Sequence, residues 1–555
     1  MGWLSTKDED MNRRTFIEGF AAVGGLVAAG GCRTLGLCRG DGRSCRDYFC
    51  TWETQRALWK GPTCERDNLN EEVLLGRNGW ARTLFPDARH GLYLTIDDGW
   101  DVPYGAKNQG DGFAVFGRIA LNEERFPSFT GSDVQRLRAF NAAVRDCGWK
   151  GAGLWIAAQA EGETFEKRLS RAQLCENLKR RLGESADAGI GYWKVDWGIH
   201  SPYMWYREMM SELAREYAPD TIIDHSLGFD NALNGVAHPY DKPRLADGSL
   251  DLVGEKGRMI GNPDFERVRQ RYTDIMSFSD SFRTYDTLGP MTSATATERA
   301  VFELLCADAT SSRCTINVED EPLLGAALGL GIGVMRAAVW PDPVVPEPQP
   351  KQRRLAEIAR CVAWRPYAPV FGSDRGCPVQ YSEATAEENW HYADKSTWWS
   401  AAFGRTLFQR APSVVSRGLP LPDVKSRDGE APIVCASRHP DTGAVAVASL
   451  PLLTQAKGRH TPVCDVTLDA MLDARTPLGV FGSFGSLTLK CADAGRVLAR
   501  DLLSEKAVDI TDVCTFENGR VMLPGGLLDS IGVSAKDDTS SPGTVICWGS
   551  GVSPL

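Results

Sequence analysis

The sequence predicts an α/β chain: a (β/α)8 (TIM) barrel followed by a C-terminal all-β sandwich. Three observations predict it. From about residue 47 to 370, short apolar β-rich runs alternate with helical patterns. Several of those runs end in acids or aromatics, at the edge where barrel strands open into loops. From about residue 371 the helical patterns give way to short β-like runs separated by Gly, Pro and Asp turns. At 555 residues the chain is too long for one core. The reading divides it into a leader (1–32), a tether (33–46), the barrel (47–370) and the β-sandwich (371–555).

The N-terminus carries an address. Arg13 and Arg14 precede apolar Phe16 and Ile17, and an Ala/Gly/Val-rich run from Gly19 to Gly31 ends at Cys32. This is the pattern of a twin-arginine export signal. The run is too short to span a bilayer as a mature helix. Ala29-Gly30-Gly31-Cys32 is similar to a lipoprotein cleavage box, except that alanine stands where leucine is usual. Membrane attachment through a lipid on Cys32 and plain cleavage both stay open. Either outcome places the mature chain outside the cytoplasm, in the periplasm or on the outer-membrane or cell surface. Residues 33–46 are rich in Gly, Arg and Cys and read as a tether.

The barrel strands are expected at 48–53, 92–97, 151–157, 192–196, 221–224, 275–280, 313–318 and 331–339. Helical patterns fall at 71–84, 133–147, 165–188, 203–217, 265–272 and 297–309, with a closing helix at 351–364. Beyond it, β-like runs fall at 433–437, 445–450, 466–472, 487–490, 507–510, 521–523 and 544–548.

Composition narrows the function. A net charge of −10 argues against a nucleic-acid or anionic-lipid partner. The sixteen cysteines have no repeating spacing and form no CxxC, which excludes a zinc ribbon or a dithiol redox motif. The chemistry sits at strand ends. In Gly191-Tyr192-Trp193-Lys194-Val195-Asp196-Trp197, alternation puts Lys194 and Asp196 on one face. A carboxylate held beside an ammonium stays ionised and can act as a nucleophile. Other strand ends supply Trp52, Asp97, Asp98, Trp100, Trp155, Asp224 and Asp280. Any one of these acids serves equally well as a helix cap. Gathered round one rim, acids and aromatics make a mouth suited to a sugar. His200 and His225 read as satisfied loop residues.

On these residues the chain resembles the clan of retaining α-galactosidases, and within it the melibiase-like branch of raffinose synthases and alkaline α-galactosidases. Cys50-Thr51-Trp52-Glu53 is similar to that branch's Cys-Thr-Trp-Asp, and Ile96-Asp97-Asp98-Gly99-Trp100 to its Ile-Asp-Asp-Gly-Trp. Lys194-Val195-Asp196 matches its Lys-Val-Asp, and Ser279-Asp280-Ser281-Phe282 resembles its Ser-Asp-Asp-Phe. The resemblance implies a retaining glycoside hydrolase that cleaves terminal α-galactosides of an oligosaccharide or polysaccharide by double displacement, and the leader implies that it is exported. It implies no cofactor and no metal. Asp196 is then the nucleophile and Asp280 the acid/base, with Asp286 the runner-up. Asp97, Asp98 and Lys194 would bond sugar hydroxyls, Trp100 and Trp155 would pack on the ring, and Trp52 and Asp286 would complete the substrate contacts.

The chain departs from that pattern in three places. Glu53 and Ser281 replace acidic residues of the motif, and Asp224-His225-Ser226-Leu227-Gly228 stands where the family has a Cys-rich loop. Three alternatives follow. One is an α-galactosyl transferase of raffinose-synthase type, and another is a catalytically degenerate glycan-binding barrel. The third is a metal-dependent deacetylase, because Thr95-Ile96-Asp97-Asp98-Gly99 is similar to that family's opening motif. It fails on ligand supply, since His90, His200, His225, His238, His391, His439 and His460 include no pair spaced i, i+4.

Overall fold

The computed structural model describes residues 47–58, 64–226, 278, 281–283, 321–334, 350–371, 379–391, 406–472, 476–491, 495–533 and 535–548. The leader, the tether, the expected strand at 313–318, the expected helices at 265–272 and 297–309, and both Asp280 and Asp286 lie outside them.

Seven short strands form the N-terminal sheet: β1 (Tyr48–Cys50), β2 (Tyr93–Ile96), β3 (Gly151–Ile156), β4 (Tyr192–Val195), β5 (Ile222–Ser226), β6 (Ser281–Arg283) and β7 (Gly333–Val334). Their order is β6-β5-β4-β3-β2-β1-β7, and every pair is parallel. From β1 to β6 each strand lies beside its neighbour in sequence, and β7 returns to the open side of β1. Strands wind this way in a barrel. Among the described residues no pairing joins β6 to β7, so this is a barrel-like parallel sheet rather than a closed ring.

Alternation sorts the side chains. Tyr48, Cys50, Tyr93 and Tyr192 pack together on one face, with Trp52 and Ile222 against them. Phe49, Leu94, Ile96, Leu154, Ile156, Trp193 and Val195 point the other way into the core beneath the helices. Both faces are buried, which is why these strands read as nearly continuous apolar runs.

The helices begin where the caps dictate. Ser132 and Gln135 form a capping box for Asp133–Asp146, and Ser170 and Gln173 do so for Arg171–Asp187. The second box corrects the expected start at residue 165 and leaves 161–169 as a loop. The pattern at 71–84 is two helices, Glu71–Leu75 and Trp80–Thr83, because the chain leaves helical geometry at Gly76 (ψ 172°). Met204–Tyr217 and Pro350–Trp364 match expectation closely. β6 pairs Ser281 with Asp224, and of the expected strand at 275–280 only Phe278 is among the described residues. The start of β1 is clamped by a buried charge pair. Arg365 Nε and Nη2 reach the Asp47 carboxylate at 2.6 and 2.9 Å, and Asp47 also accepts from the Ile332 amide at 2.8 Å.

The C-terminal region holds an eight-stranded mixed sheet, a five-stranded sheet and a smaller four-stranded one. Val434, Val445, Val447, Val480 and Ile546 of the eight-stranded sheet pack on Val466, Leu468, Leu487, Leu489 and Leu523 of the five-stranded sheet, giving a sandwich core. The opposite face, with Cys435, Ala446, Ala448, Phe481 and Val545, joins the core that contains Leu323, Leu324 and Trp364. Burial on both sides explains why all six residues of Val445–Leu450 are buried. Among the described residues no helix is long and apolar enough to cross a membrane.

Candidate active site

The strand ends bring Asp97, Asp98, Lys194 and Asp196 together. Lys194, on β4, is 1% exposed, and its Nζ contacts Asp97 Oδ2 and lies 3.7 Å from Asp196 Oδ2. Cys50, at the end of β1, donates its thiol to the same Asp97 oxygen at 2.9 Å. Burial, and then the Asp97 charge, push that thiol well above its usual range, so it stays a neutral donor. Trp155, at register with Lys194 on β3, donates Nε1–H to Asp196 Oδ2 at 3.1 Å. The Asp196 carboxylate is thus held by an ammonium and an indole. Its side chain is 14% exposed, against 3% for Asp97 and 2% for Asp98, so it is the carboxylate of this group that meets solvent.

The Asp-Asp-Gly-Trp turn is shaped by its neighbours. Gly99 has φ +117°, and a Cβ there would stand 2.5 Å from the Arg66 carbonyl oxygen. Arg66 reaches over the turn to Asp98 Oδ2 at 2.9 Å and to the Ala106 carbonyl at 3.0 Å. Its guanidinium lies 5.0 Å from the Phe116 ring and 5.8 Å from Trp197. Burial raises the Asp98 carboxyl to about 7; Arg66 opposes the rise, while Asp97 and Asp196 add to it. Burial and the nearby Asp98 raise Asp101 to about 8. Asp98 and Asp101 are therefore weak acids that share one corner of the site.

The sequence placed two tryptophans for stacking on a sugar, and the structure places them otherwise. Trp100 and Trp155 are 0% and 1% exposed, so neither offers a ring face to solvent. Trp100 Nε1 donates to the Trp155 carbonyl at 2.8 Å, and Trp155 holds Asp196. They brace the site in series. Trp52 is half-buried against the tyrosines of the inner face. Trp197, which follows Asp196, is half-buried and packs on Trp155 with ring centroids 4.9 Å apart. Gly198 lets the chain turn there: φ is +150°, and a Cβ would lie 2.6 Å from the Ala158 amide nitrogen.

Both histidines read as satisfied loop residues are buried and bonded. His200 Nε2 bonds the Glu163 carboxylate at 3.0 Å. Burial disfavours the Glu163 charge, yet the bonds from His200 and from the Ala160 and Leu169 amides outweigh it and hold the carboxyl low. His225 bonds Ser211 at 2.8 Å, on the face of β5 opposite to Asp224. Arg66, Cys50, Asp101 and Glu163 were not singled out in sequence for these parts. Cys50 lay inside a quoted motif; the others stand in irregular loops where no period marks them.

No family model and no curated protein matches the chain. Solved structures similar to it include an α-galactosidase I from Mortierella vinacea at 12% identity, covering 67% of this chain and 96% of that one, with a TM-score of 0.31. An α-galactosidase from Saccharomyces cerevisiae, solved with raffinose, matches at 10% identity over 93% of this chain and 100% of that one, with a TM-score of 0.34. An Anoxybacillus α-amylase matches at 10% identity over 92% and 100%, with a TM-score of 0.36. TM-scores this low leave fold and activity to be argued from the chain's own residues.

Proposed function

We propose that the chain is a retaining glycoside hydrolase acting on terminal α-galactosides or closely related α-glycosides, that its parallel sheet closes as a (β/α)8 barrel, and that the twin-arginine leader exports it. One observation carries the catalytic reading. A partly exposed carboxylate, Asp196, stands at the end of a parallel strand, held at one oxygen by Lys194 and Trp155. Lys194 keeps it ionised, and the indole fixes its plane. Asp196 attacks the anomeric carbon and forms a glycosyl ester, while a second carboxylic acid protonates the departing oxygen. That acid, now a base, then takes a proton from the water that opens the ester. Lys194 and Asp97, 1% and 3% exposed, stand behind Asp196 and act on the sugar's side of the site only through it.

For the acid/base, Asp280 is the first candidate and Asp286 the second; both lie outside the described residues. Barrel chemistry is drawn from strand C-termini. Retention calls for carboxyls about 5–5.5 Å apart.

The test is hydrolysis of aryl α-galactosides and an aryl α-glycoside panel. Asp196→Gly should abolish turnover, and azide should restore it with formation of the β-glycosyl azide. Asp280→Gly should lose far more on poor leaving groups than on good ones; if Asp286→Gly does so instead, the runner-up is the acid/base. A wild type that cleaves no α-glycoside, or an Asp196→Gly variant of undiminished activity, ends the proposal.

A further inference from the structure

A run of aromatic rings leads from Asp196 to solvent. Trp155 packs on Trp197 at 4.9 Å, Trp197 meets Phe113 edge to face at 6.1 Å, and Phe113 meets Phe165 edge to face at 4.9 Å. Burial falls along it: Trp155 is buried, Trp197 and Phe113 are half-buried, and Phe165 is 50% exposed. Beside Phe165, Tyr203 is 38% exposed, and its hydroxyl accepts from Arg168 Nη1 at 3.2 Å. The Arg168 guanidinium lies 5.6 Å from the Phe165 ring.

The exposure of Phe165 is built in. Buried Glu163 ties its loop from below, accepting from the Ala160 and Leu169 amides at 2.8 Å each and bonding His200. From the side, the Gly162 amide donates to the Ala114 carbonyl at 2.8 Å, and Gln159 Nε2 to the Phe113 carbonyl at 2.7 Å. Thr164 and Lys167 close the tip: the Thr164 amide donates to the Lys167 carbonyl at 2.9 Å, and the Lys167 amide to Thr164 Oγ1 at 3.0 Å. A loop anchored at so many points has a set conformation, and that conformation holds an apolar ring in water. A flat apolar ring flanked by an arginine and a phenol suits a pyranose, which offers an apolar face and a rim of hydroxyls.

We propose that Phe165, Phe113 and Trp197, with Arg168 and Tyr203 at their edge, form a subsite for the saccharide on the leaving-group side of the scissile bond. The substrate is then an oligosaccharide and not a glycoside of a small aglycone. The direction rests on the glycosidase reading: the cleaved unit occupies the buried end beside Asp196, so the rest of the substrate runs outward along the rings.

The test replaces Phe165 by Ala, with Phe165→Tyr as the stacking-competent control. In the Asp196→Asn background, tryptophan emission is titrated with galactose and with α-linked galacto-di-, tri- and tetrasaccharides. Affinity should rise with length; Phe165→Ala should weaken the oligosaccharides by about tenfold or more and galactose by less than about twofold, with Phe165→Tyr near the parent. In the active enzyme, Phe165→Ala should lower kcat/KM for the trisaccharide and leave it unchanged for α-galactosyl fluoride. Binding that ignores length, or equal losses on galactose and oligosaccharide, overturns the subsite. So does a dimer that Phe165→Ala converts to monomer in sedimentation, which makes the patch a self-association face. If the wild type cleaves no α-glycosyl fluoride while length-dependent binding through Phe165 persists, the hydrolase reading falls and the subsite stands. If the fluoride is cleaved and length has no effect, the subsite falls alone.

Discussion

Replacing Lys194 by Met should remove more activity than a lost hydrogen bond, and the loss should depend on pH. The ammonium is 1% exposed, in contact with Asp97 Oδ2 and 3.7 Å from Asp196 Oδ2. At an effective dielectric constant of about 20, unit charges 3.7 Å apart attract by about 4.5 kcal/mol. Asp196 is partly exposed, so solvent screens the pair, and about 3 kcal/mol is a working figure. Without the cation, the carboxylates it touches lose their counter-charge, which disfavours the ionised form of Asp196. A protonated Asp196 does not attack. At about 1.4 kcal/mol per decade, kcat/KM at pH 7 should fall by about 100-fold, more at pH 5, and recover part of the loss as alkali removes the extra proton. Lys194→Gln, which keeps a donor without the charge, should show the same displaced profile. The assay is kcat/KM for an aryl α-galactoside from pH 5 to 9, with circular dichroism to confirm the fold. Activity within about tenfold of wild type, on an unmoved profile, would refute the electrostatic account.

Other expectations concern stability. Asp101 titrates near 3.8 when unfolded and at about 8 when folded, so the folded chain keeps a proton that the unfolded chain releases. Stability from this group is therefore lost as pH rises from about 4 to 8, by at most about 1.4 kcal/mol per pH unit. Asp101→Asn should flatten that slope, and melts at pH 5 and 8 should show the variant gaining on wild type at the higher pH. Arg365→Met leaves Asp47 buried without its cation and should cost about 3–5 kcal/mol, read from the denaturant midpoint. Gly198→Ala forces a side chain against the Ala158 backbone at positive φ and should cost about 1–3 kcal/mol. It should also shift tryptophan emission, because Trp197 is displaced.

The site was legible where a short period met a chemical group. Period two put Lys194 and Asp196 on one face, and the structure sets the Lys194 ammonium against both Asp97 and Asp196. Strands β2 to β5 and the bodies of the helices were readable because alternation and helical period are local; the helical pattern expected from 165 overlooks the Ser170–Gln173 box, which fixes the helix start at 171. What sequence could not give was orientation at long range. An indole at a strand end suits a sugar face or a carboxylate equally well, and only the neighbours decide; for Trp155 they chose Asp196. Arg66 contacts Asp98 from a 3-10 turn, Glu65–Asn68, with no period of its own. In the C-terminal region, strands such as Val414–Arg417 and Leu478–Phe481 were missed. They are short, and lateral pairing, not composition, makes them strands.

The middle of the eight-stranded sheet is covered on both sides, by the five-stranded sheet on one and by the Glu321–Leu328 and Pro350–Trp364 helices on the other. A gene fragment stopping near codon 371 would strip Leu323, Leu324 and Trp364 of their lining and yield a sticky product. The complementary fragment would bare Ala446, Ala448 and Phe481 and fare no better. Recombination cannot shuffle these two portions as interchangeable modules, so they must be inherited, expressed and engineered as one block.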